Sequence, residues 1–328
     1  YTYTLNDDEN HPDAGQDDVF ESFVVSLEDK DGDTASDTLA VRIIDDIPVI
    51  TQDTSNAVSL EVDETVLATD DSADFSGLFS NVDYGADGAA ATDALTYKLA
   101  VEEIASGLVD TASGVAVELD DTNLDGTLIT GIAGGQTVFT ISIDIATGEI
   151  TLDQQRAVKH ADTNNPDDAV TIAENAISIV AAATDGDADI VTSSVAIGDR
   201  FSFKDDGPST PVDDSAVSVV EGAAAVGSAN GGDNLLGNDT LGADGGFVYD
   251  ISYTDRSGNA QTNVAVGNGG LTVDTQFGEL TVQQDGSWTY TPIDSADHVK
   301  PANDTELSDD FSYRVIDNDG DISAGAAT

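Results

Sequence analysis

The chain of 328 residues contains no cysteine and no methionine, and its 10 lysines and arginines stand against 64 aspartates and glutamates. The absence of cysteine excludes a disulfide scaffold, a thiolate zinc site and cysteine catalysis. The formal net charge of −54 argues against nucleic acid and anionic membranes as partners, because phosphate contacts need clustered basic side chains. No apolar run approaches the ~18 residues of a membrane span. No signal peptide is recognisable, and Tyr1 begins in mid-pattern, so we expect a fragment of a longer chain.

Aspartate dominates the charge. Glutamate occurs 13 times, so 51 of the 64 acidic residues are aspartate. Such an excess is typical of turns and of hard-cation ligation rather than of a surface made soluble by charge. Bound Ca²⁺ would also offset the repulsion between converging carboxylates. The composition therefore predicts several Ca²⁺ ions as cofactors.

An internal repeat organises the chain. A β-like run, an Asp-Gly-Asp turn, a second run and an Asp-Asp-x-Pro terminator occur twice in full, ending at Pro48 and at Pro208. A third copy reaches its turn near Gly320 without a terminator. The three histidines, His11, His160 and His298, precede acidic pairs in a common slot, which predicts a structural role for them. The repeat extends upstream, since Tyr-Thr-Tyr-Thr at residues 1–4 matches Trp-Thr-Tyr-Thr at residues 288–291.

These phrases give three regions: residues 1–48, 49–208 and 209–328. Proline ends each terminator because it cannot donate to a strand ladder. Short runs rich in Val, Ile, Thr, Tyr and Phe alternate with Gly, Asp and Asn turns, which predicts an all-β fold of sandwich modules. Only residues 153–160 and 72–79 suggest a helical turn or two. Residues 1–48 and 209–328 are either two parts of one domain split by the middle unit or two truncated neighbours in a tandem array.

The Asp-Gly-Asp phrases are the strongest site signal. Aspartate at alternate positions places carboxylates on one side of a turning backbone, as in the first half of a calcium loop. The alternative is that Asp-Gly is only a hairpin turn. The terminator pairs are candidates for calcium in the linkers, or else solvated charges that discourage strand pairing. The predicted calcium ligands are Asp29, Asp31, Asp33, Asp45, Asp46, Asp185, Asp187, Asp189, Asp205, Asp206, Asp317, Asp319 and Asp321.

The middle region carries additional polar loops, and loops on a rigid sandwich are common carriers of recognition. A calcium ion with an open coordination position there could accept a carboxylate or hydroxyls of a ligand; the alternative is a purely structural or solvated loop. The candidate ligand-binding residues are Asp120, Asp125, Asp162, Asn164, Asn165, Asp167 and Asp168. No catalytic residue is assigned and no enzyme is expected, since the chain has no G-x-S-x-G, H-E-x-x-H or P-loop phrase.

The recurring turns and terminators, together with Asn-Leu-Leu-Gly-Asn-Asp at residues 234–239, resemble the modules of giant bacterial RTX adhesins exported by type I secretion. The resemblance covers essentially the whole chain, although the nonapeptide RTX repeats and the repeats of an ice-binding solenoid are absent. Residues 58–208 look like the peptide-binding domain of such adhesins, in which Ca²⁺ bridges to the free carboxyl terminus of a partner polypeptide. The resemblance also implies that residues 1–48 and 209–328 form a split domain carrying that binding domain.

The expected function is therefore a Ca²⁺-dependent, extracellular, bacterial cell-surface module that binds peptide or protein termini on host or microbial cells and promotes adhesion and biofilm formation. One alternative is a purely structural extender stiffened by calcium. Another is a glycan-binding module, for which the few available aromatic residues are Phe75, Phe79, Tyr84, Tyr97 and Phe139. We expect calcium affinities of about 10⁻⁴–10⁻³ M, as in other extracellular modules, so that the chain stays loose in the cytoplasm and folds outside.

Overall fold

The computed structural model describes residues 1–6, 9, 11, 15–123, 125–230, 233–294 and 306–328. Their regular secondary structure consists of β-strands and short 3-10 helices, so the predicted all-β class is confirmed. The 3-10 helices span Glu64–Val66, Ser76–Leu78, Gly198–Arg200 and Ser228–Asn230. In the described residues no helix has the length and apolar character needed to cross a bilayer.

The first region contains a two-stranded antiparallel hairpin of eleven-residue strands, β1 (Asp18–Glu28) and β2 (Thr34–Ile44). The two strands pair along their full length, with Phe23 opposite Leu39. The turn between them, residues 29–33, is exposed. After the terminator the chain enters β3 (Val49–Gln52), which already pairs with a strand of the middle region.

The middle region contains the larger core. Its remaining strands are β4 (Leu60–Asp63), β5 (Asp71–Asp74), β6 (Phe79–Asp83), β7 (Leu95–Val101), β8 (Ala105–Val109), β9 (Ala116–Asp120), β10 (Leu128–Ala133), β11 (Gln136–Ile143), β12 (Glu149–Gln154), β13 (Ala169–Thr171), β14 (Ile177–Thr184), β15 (Ile190–Ala196) and β16 (Phe201–Lys204). A six-stranded sheet of order β5-β12-β11-β10-β9-β8 packs against the three-stranded sheets β13-β16-β4 and β15-β14-β7 around one hydrophobic cluster.

The third region has a smaller core of its own. Its strands are β17 (Val226–Gly227), β18 (Gly246–Thr254), β19 (Ala260–Ala265), β20 (Leu271–Asp274), β21 (Gly278–Val282), β22 (Trp288–Pro292) and β23 (Phe311–Asp317). The sheets β17-β22-β21-β20 and β19-β18-β23 enclose a buried cluster that includes Leu235, Tyr313 and Ala327. Two sheets that face each other across a shared core form a β-sandwich.

The strands follow the alternation of the sequence, since successive side chains in a strand point to opposite faces. In β12 the side chains of Ile150 and Leu152 are fully buried while Glu149 is exposed. Residues 153–160 do not form the expected helical turn: β12 continues through Gln154 and an irregular segment follows. Residues 72–79 form the end of β5 and a single 3-10 turn. The split-domain arrangement of residues 1–48 and 209–328 stays a prediction.

The last strand of the middle region positions the terminator. Phe201 and Phe203 of β16 are fully buried, and β16 pairs in parallel with β4, Phe203 lying opposite Val62. Phe203 also packs against the ring of Phe139 at 5.1 Å between centroids. Because this strand is anchored in the core, Asp205 and Asp206 leave it in a fixed direction and reach the start of the third region.

Candidate metal centres at the unit junctions

The three aspartate turns share one backbone geometry. In each, the first Asp donates its N–H to the carbonyl of the fifth residue, as Asp29 to Asp33 (3.0 Å) and Asp185 to Asp189 (3.1 Å). Asp317 donates in the same way to Asp321, also at 3.1 Å. The first carboxylate then accepts from the N–H of the fifth residue. Each turn thus presents carboxylates from its first, third and fifth positions.

This geometry corrects the alignment of the middle turn. The sequence pattern matches Asp185-Gly186-Asp187 with Asp31-Gly32-Asp33, but the structure places Asp185 where Asp29 lies. Position four is then Ala188, which adopts a positive φ of 84° where the other copies have glycine. Asp189 is therefore a full member of the turn rather than an extra acid beyond it.

The first junction lies where the terminator after β2 meets the middle aspartate turn. One candidate ligand atom each from Asp45, Asp187 and Asp189 lies within 4.8 Å of the others, and so do atoms of Asp45, Asp46 and Asp87. Asp189 also accepts from the N–H of Gly15 at 2.6 Å, so residues from the first region contact the middle region directly. His11 forms a short contact through Nδ1 with Asp17 in the same group.

The second junction repeats this arrangement between the middle and third regions. His160 Nδ1 lies 3.2 Å from Asp205 Oδ1 and 3.8 Å from Asp319 Oδ2. The backbone N–H of His160 also donates to Asp319 at 3.2 Å. Asp205 and Asp321 interact through their side chains. The terminator of one unit therefore sits against the aspartate turn of the next, as it does in the first junction.

Seven carboxylate positions correspond between the two junctions. Their equivalence follows from shared backbone contacts; for example, Asp45 donates its N–H to the carbonyl of Asp17, and Asp205 to that of Asp168. The first junction contains Asp17, Asp45, Asp46, Asp87, Asp185, Asp187 and Asp189. The second junction contains Asp168, Asp205, Asp206, Asp244, Asp317, Asp319 and Asp321. Of the predicted calcium ligands, all except those of the 29–33 turn are brought together in this way.

Sequence reasoning missed Asp87 and Asp244. They lie in two identical Gly-Ala-Asp-Gly segments, residues 85–88 and 242–245. In each segment the alanine N–H donates to the second Asp of the terminator: Ala86 to Asp46 at 2.7 Å and Ala243 to Asp206 at 3.0 Å. The repetition of this tetrapeptide is the sequence feature that could have indicated both residues.

Many oxygens of the junction carboxylates are buried without a hydrogen-bond partner among the described residues. Ten of their oxygens are inaccessible and have no hydrogen-bond partner in the described part of the chain. They are Asp45 Oδ2, Asp185 Oδ2, Asp187 Oδ1 and Oδ2, Asp189 Oδ2, Asp168 Oδ1, Asp205 Oδ2, Asp244 Oδ1, Asp317 Oδ2 and Asp319 Oδ1. None of the described lysines or arginines forms an ion pair with these carboxylates. Buried charges in this state are costly unless a cation is present.

The pKa values of the junction carboxyl groups reflect the same burial of uncompensated charge. Burial, and then neighbouring carboxylates, raise the pKa of Asp185 to about 6, that of Asp244 to about 7 and that of Asp317 to about 8. Burial also raises the pKa of Asp321 to about 7, with Asp205 contributing. Without a cation, Asp244, Asp317 and Asp321 are partly protonated near neutral pH and Asp185 in mildly acidic solution, because the ionised forms are poorly solvated and repel one another.

The donor set fits calcium. Ca²⁺ takes about six to eight oxygen ligands, and mixed mono- and bidentate carboxylates suit it. Each junction offers seven carboxylates and no thiolate, and its inward-pointing oxygens have no other partner. Imidazole nitrogen is instead typical of transition metals. The carboxylates therefore fit Ca²⁺, while His11 with Asp17 and Asp45, and His160 with Glu64 and Asp205, also lie within ligand distance of one another.

His160 occupies a fixed position beside the second junction. Its Nε2 donates to the Phe203 carbonyl at 3.1 Å, which leaves Nδ1 facing Asp205. Burial opposes protonation, but the nearby Asp205 carboxylate and the hydrogen bond to the Phe203 carbonyl raise the pKa of His160 to about 9. Glu64, which the sequence pattern did not indicate, lies close to His160. Its carboxylate accepts hydrogen bonds from Gln154 Nε2 at 2.8 Å and from Val158 N at 2.9 Å. The predicted structural role agrees with these contacts for His11 and His160, while His298 lies outside the described residues.

The aspartate turn of the first region, residues 29–33, differs from the other two turns in its surroundings. Asp29, Asp31 and Asp33 come within ligand distance of one another, yet all three are exposed. In the described residues no terminator and no Gly-Ala-Asp-Gly segment covers this turn. In the described residues this turn therefore has the backbone geometry of the other two turns but lacks the two segments that complete a junction.

The candidate ligand-binding residues fall into separate places. Asp120 and Asp125 each cap a local turn, accepting from Thr122 N (2.8 Å) and Thr127 N (2.9 Å). No hydrogen bond or ion pair in the described residues joins them to the loop at 162–168, whose exposed members are Asp162, Asn164, Asn165 and Asp167. Asp167 pairs with Lys204 at 3.0 Å. Among the candidate residues of this loop, Asp168 is the one that belongs to the junction carboxylates, and its Oδ1 is buried.

The aromatic residues considered for glycan stacking are mostly in the core. Phe75, Phe79, Tyr97 and Phe139 are at most 5 % exposed. Tyr84 alone of the five is partly accessible. A sugar ring needs exposed aromatic faces, so these side chains do not form a stacking platform.

The comparisons with known proteins place only the middle region. Residues 59–198 match the model of a family described as "Domain of unknown function (DUF5801)". The match begins beside β4 and ends before β16, so it contains the middle aspartate turn and Asp87 but neither terminator. No curated protein matches the chain.

Proposed function

We propose that the chain is a Ca²⁺-dependent segment of an extracellular cell-surface adhesin, in which calcium at the two junctions fixes successive β-units relative to one another. The observation that carries this proposal is the repetition of seven carboxylates at both junctions, with ten buried oxygens that have no hydrogen-bond partner among the described residues. A sequence that needed only solubility would expose these charges. The resemblance to RTX adhesins of type I secretion supports the same class.

Calcium would act here as a cross-link. Asp45-Asp46 or Asp205-Asp206 of one unit and the aspartate turn of the next would bind the same ion or ions, so the ion joins two units. When bound, the ion supplies positive charge that offsets the repulsion of the carboxylates. His160 and Glu64 hold the β16 end of the second junction through Phe203, Val158 and Gln154.

Thermal unfolding tests the proposal directly. We expect a higher melting temperature in millimolar Ca²⁺ than in EDTA, and no comparable rise in Mg²⁺, because Mg²⁺ demands a smaller octahedral site and dehydrates reluctantly. Equal melting temperatures in Ca²⁺ and EDTA would contradict it.

Recognition of peptide carboxyl termini by the middle region is the second candidate, and it would make the segment adhesive in promoting attachment and biofilm formation. The observation that favours it is the loop at 162–168, which places Asp168 in the second junction with its Oδ1 buried, while Asp162, Asn164 and Asn165 stay exposed beside it. A calcium ion at this rim could bind a ligand carboxylate. A purely structural extender would share the junctions but bind no such ligand.

Peptide arrays separate these two candidates. We expect peptides with a free carboxyl terminus to bind in Ca²⁺, their amidated counterparts to bind more weakly, and both to be lost in EDTA. The matched variants are Asn164→Ala in the loop and Asn268→Ala in an exposed turn of the third region. If no peptide on the array binds in Ca²⁺, the purely structural extender is favoured. The proposal of calcium at the junctions is then tested by the melting experiment alone.

A further inference from the structure

Three buried side chains converge beside the second junction. Glu64, His160 and Asp205 are at most 3 % exposed, and one candidate ligand atom of each lies within 4.8 Å of the other two. β4 and β16 pair in parallel with Asp63 opposite Lys204, so Glu64 and Asp205 follow the two strands at the same edge of the sheet. The register of the sheet therefore brings two carboxylates to one imidazole.

One hydrogen bond sets the orientation of this imidazole. The Phe203 carbonyl can only accept, so Nε2 of His160 carries the hydrogen that it donates at 3.1 Å. Nδ1 is buried and has no hydrogen-bond partner in the described residues, although it lies 3.2 Å from Asp205 Oδ1. A metal-binding histidine commonly donates its other ring N–H to a carbonyl or a carboxylate. The ring is therefore held with its free nitrogen facing Asp205.

A proton on Nδ1 does not account for the whole group. The contact with Asp205 lacks the geometry of a hydrogen bond, and one N–H would serve a single acceptor. Glu64 and Asp319 would keep their charges nearby, since Asp319 Oδ2 lies 3.8 Å from Nδ1. None of the described lysines or arginines forms an ion pair with these carboxylates. Buried charges of this kind are costly unless they are paired or bind a metal.

The nitrogen and the oxygens suit Zn²⁺. This ion binds imidazole nitrogen and carboxylate oxygen at about 2.0–2.2 Å in a tetrahedral arrangement, in which two ligand atoms are about 3.3 Å apart. The 3.2 Å between the histidine Nδ1 and Asp205 Oδ1 agrees with such an edge. The N–H groups of Gln154 and Val158 hold Oε1 of Glu64 in place, as is usual for carboxylate ligands. Asp319 Oδ2 is available as a fourth ligand.

We propose that His160 Nδ1, with carboxylate oxygens of Glu64, Asp205 and Asp319, forms a site for a divalent transition-metal ion of the Zn²⁺ class beside the second junction. Asp205 and Asp319 would bridge this ion to calcium. Each has one oxygen near the histidine, and the other, Oδ2 of Asp205 or Oδ1 of Asp319, is buried without a hydrogen-bond partner in the described residues. The site goes beyond the proposed calcium function and does not require it.

The first junction provides an internal comparison. His11 lies within ligand distance of Asp17 and Asp45. Its Nδ1, however, is hydrogen-bonded to Asp17, whereas Nδ1 of His160 has no hydrogen-bond partner in the described part of the chain. We therefore expect the transition-metal ion at His160 and not at His11.

Nuclear magnetic resonance of the full chain, labelled with ¹⁵N at its three histidines, tests the proposal. Zn²⁺ is titrated in millimolar Ca²⁺, so that calcium occupies the carboxylate sites. The ¹⁵N shifts distinguish a protonated, an unprotonated and a metal-bound ring nitrogen, and His160→Gln assigns the signals. We expect Nδ1 of His160 to become metal-bound while Nε2 keeps its hydrogen, and Nδ1 of His11 to remain unchanged.

Isothermal titration calorimetry compares two glutamate variants under the same conditions. Glu64→Gln alters the site, and Glu61→Gln alters an exposed side chain of β4. Glu64→Gln should weaken Zn²⁺ binding at least ~10-fold, because it removes a ligand charge, while Glu61→Gln should stay within about threefold. Circular dichroism controls for folding, and the resonance measurement on the parent chain decides the proposal without any variant.

Two results would overturn the proposal. One is an Nδ1 of His160 that stays protonated or unprotonated at saturating Zn²⁺, which would leave the histidine a purely structural role. The other is Zn²⁺ binding that Glu64→Gln and Glu61→Gln weaken equally, which would place the ion elsewhere. Failure of the calcium proposal is seen separately, as equal melting temperatures with and without Ca²⁺, and it would leave Zn²⁺ binding at His160 unaffected.

Discussion

Single carboxylates decide the chemistry of the junctions. Asp187 and Asp31 occupy the same third position of an aspartate turn, yet both oxygens of Asp187 are buried without a partner while Asp31 is exposed. The same side chain therefore destabilises the calcium-free fold at position 187 and has nearly no effect on stability at position 31. The difference comes from the terminator that covers the middle turn.

Asp187→Asn should act in opposite directions with and without calcium. In Ca²⁺ at about 100 times its Kd, losing one site removes about 2.7 kcal/mol, which lowers the melting temperature by roughly 5–10 °C for a domain of 150–250 residues. In EDTA the same variant should melt no lower than the parent, because it removes an uncompensated buried charge.

Asp31→Asn is the matched control and should change the melting temperature of the middle region little in either buffer. Scanning calorimetry measures all three chains. A drop for Asp187→Asn in EDTA as large as that in Ca²⁺ would show that the side chain supports the turn itself rather than an ion.

The raised carboxyl pKa values predict opposite pH trends for the two forms of the protein. Burial raises the pKa of Asp185 to about 6 and that of Asp317 to about 8, so the calcium-free folded state binds more protons than the unfolded chain between about pH 4 and pH 8. Its stability should therefore fall as the pH rises through this range. Calcium competes with these protons, so calcium affinity should rise over the same range.

Calcium titrations and chemical denaturation at pH 6 and pH 8 measure both trends. The calcium-free protein should be more stable at pH 6, and calcium should bind more tightly at pH 8 with release of protons. A calcium affinity that is the same at both pH values would contradict the assignment of these carboxyl groups as ligands.

At the scale of elements, a junction consists of three segments: a terminator, an aspartate turn and a Gly-Ala-Asp-Gly segment. The glycine that begins this last segment allows the terminator to approach. Gly85 has a φ of +72°, and a Cβ at this position would overlap the carboxylate of Asp46. Gly88 has a similar φ of +69° but open space around it.

Gly85→Ala and Gly88→Ala should separate backbone strain from junction packing. Both variants place an alanine at positive φ, which costs about 1–2 kcal/mol. Only Gly85→Ala should in addition weaken calcium binding at the first junction, which isothermal titration calorimetry measures. Equal calcium affinities in the two variants would mean that Asp46 does not depend on this approach.

The sequence predicts the strands and the turns better than the contacts between units. The runs around residues 95–99, 138–143 and 248–253 lie in strands, because alternation and β-branched residues act locally. The terminators and turns were found because both repeat with clear punctuation. Asp87 and Asp244 were not found, since their tetrapeptide is short and only the approach of Asp46 and Asp206 gives it meaning. Asp168 was assigned to a ligand loop because sequence does not show which of two adjacent acids turns inward.

At the scale of the whole molecule, a net charge of −54 opposes any compact arrangement of the units. Among the described residues the buried apolar clusters lie in the middle and third regions, and junction contacts rather than a shared core connect successive units. The relative positions of the units should therefore depend on cations far more than the folds of the units do.

Small-angle X-ray scattering should detect this difference. In EDTA at low ionic strength we expect a larger spread of particle dimensions than in Ca²⁺, because the uncompensated junction charges repel. Added NaCl should reduce the spread only in part, since salt screens exposed charges more than buried ones. Far-ultraviolet circular dichroism should change less than the scattering, and identical scattering curves in EDTA and Ca²⁺ would show that the junctions are fixed without metal.

Native mass spectrometry of the folded chain, exchanged into millimolar Ca²⁺, tests the central claim most directly. We expect at least two tightly held calcium ions on the chain and the loss of one or more of them in Asp187→Asn but not in Val24→Asp. A folded chain that carries no calcium under these conditions would contradict the assignment of the junction aspartates as metal ligands.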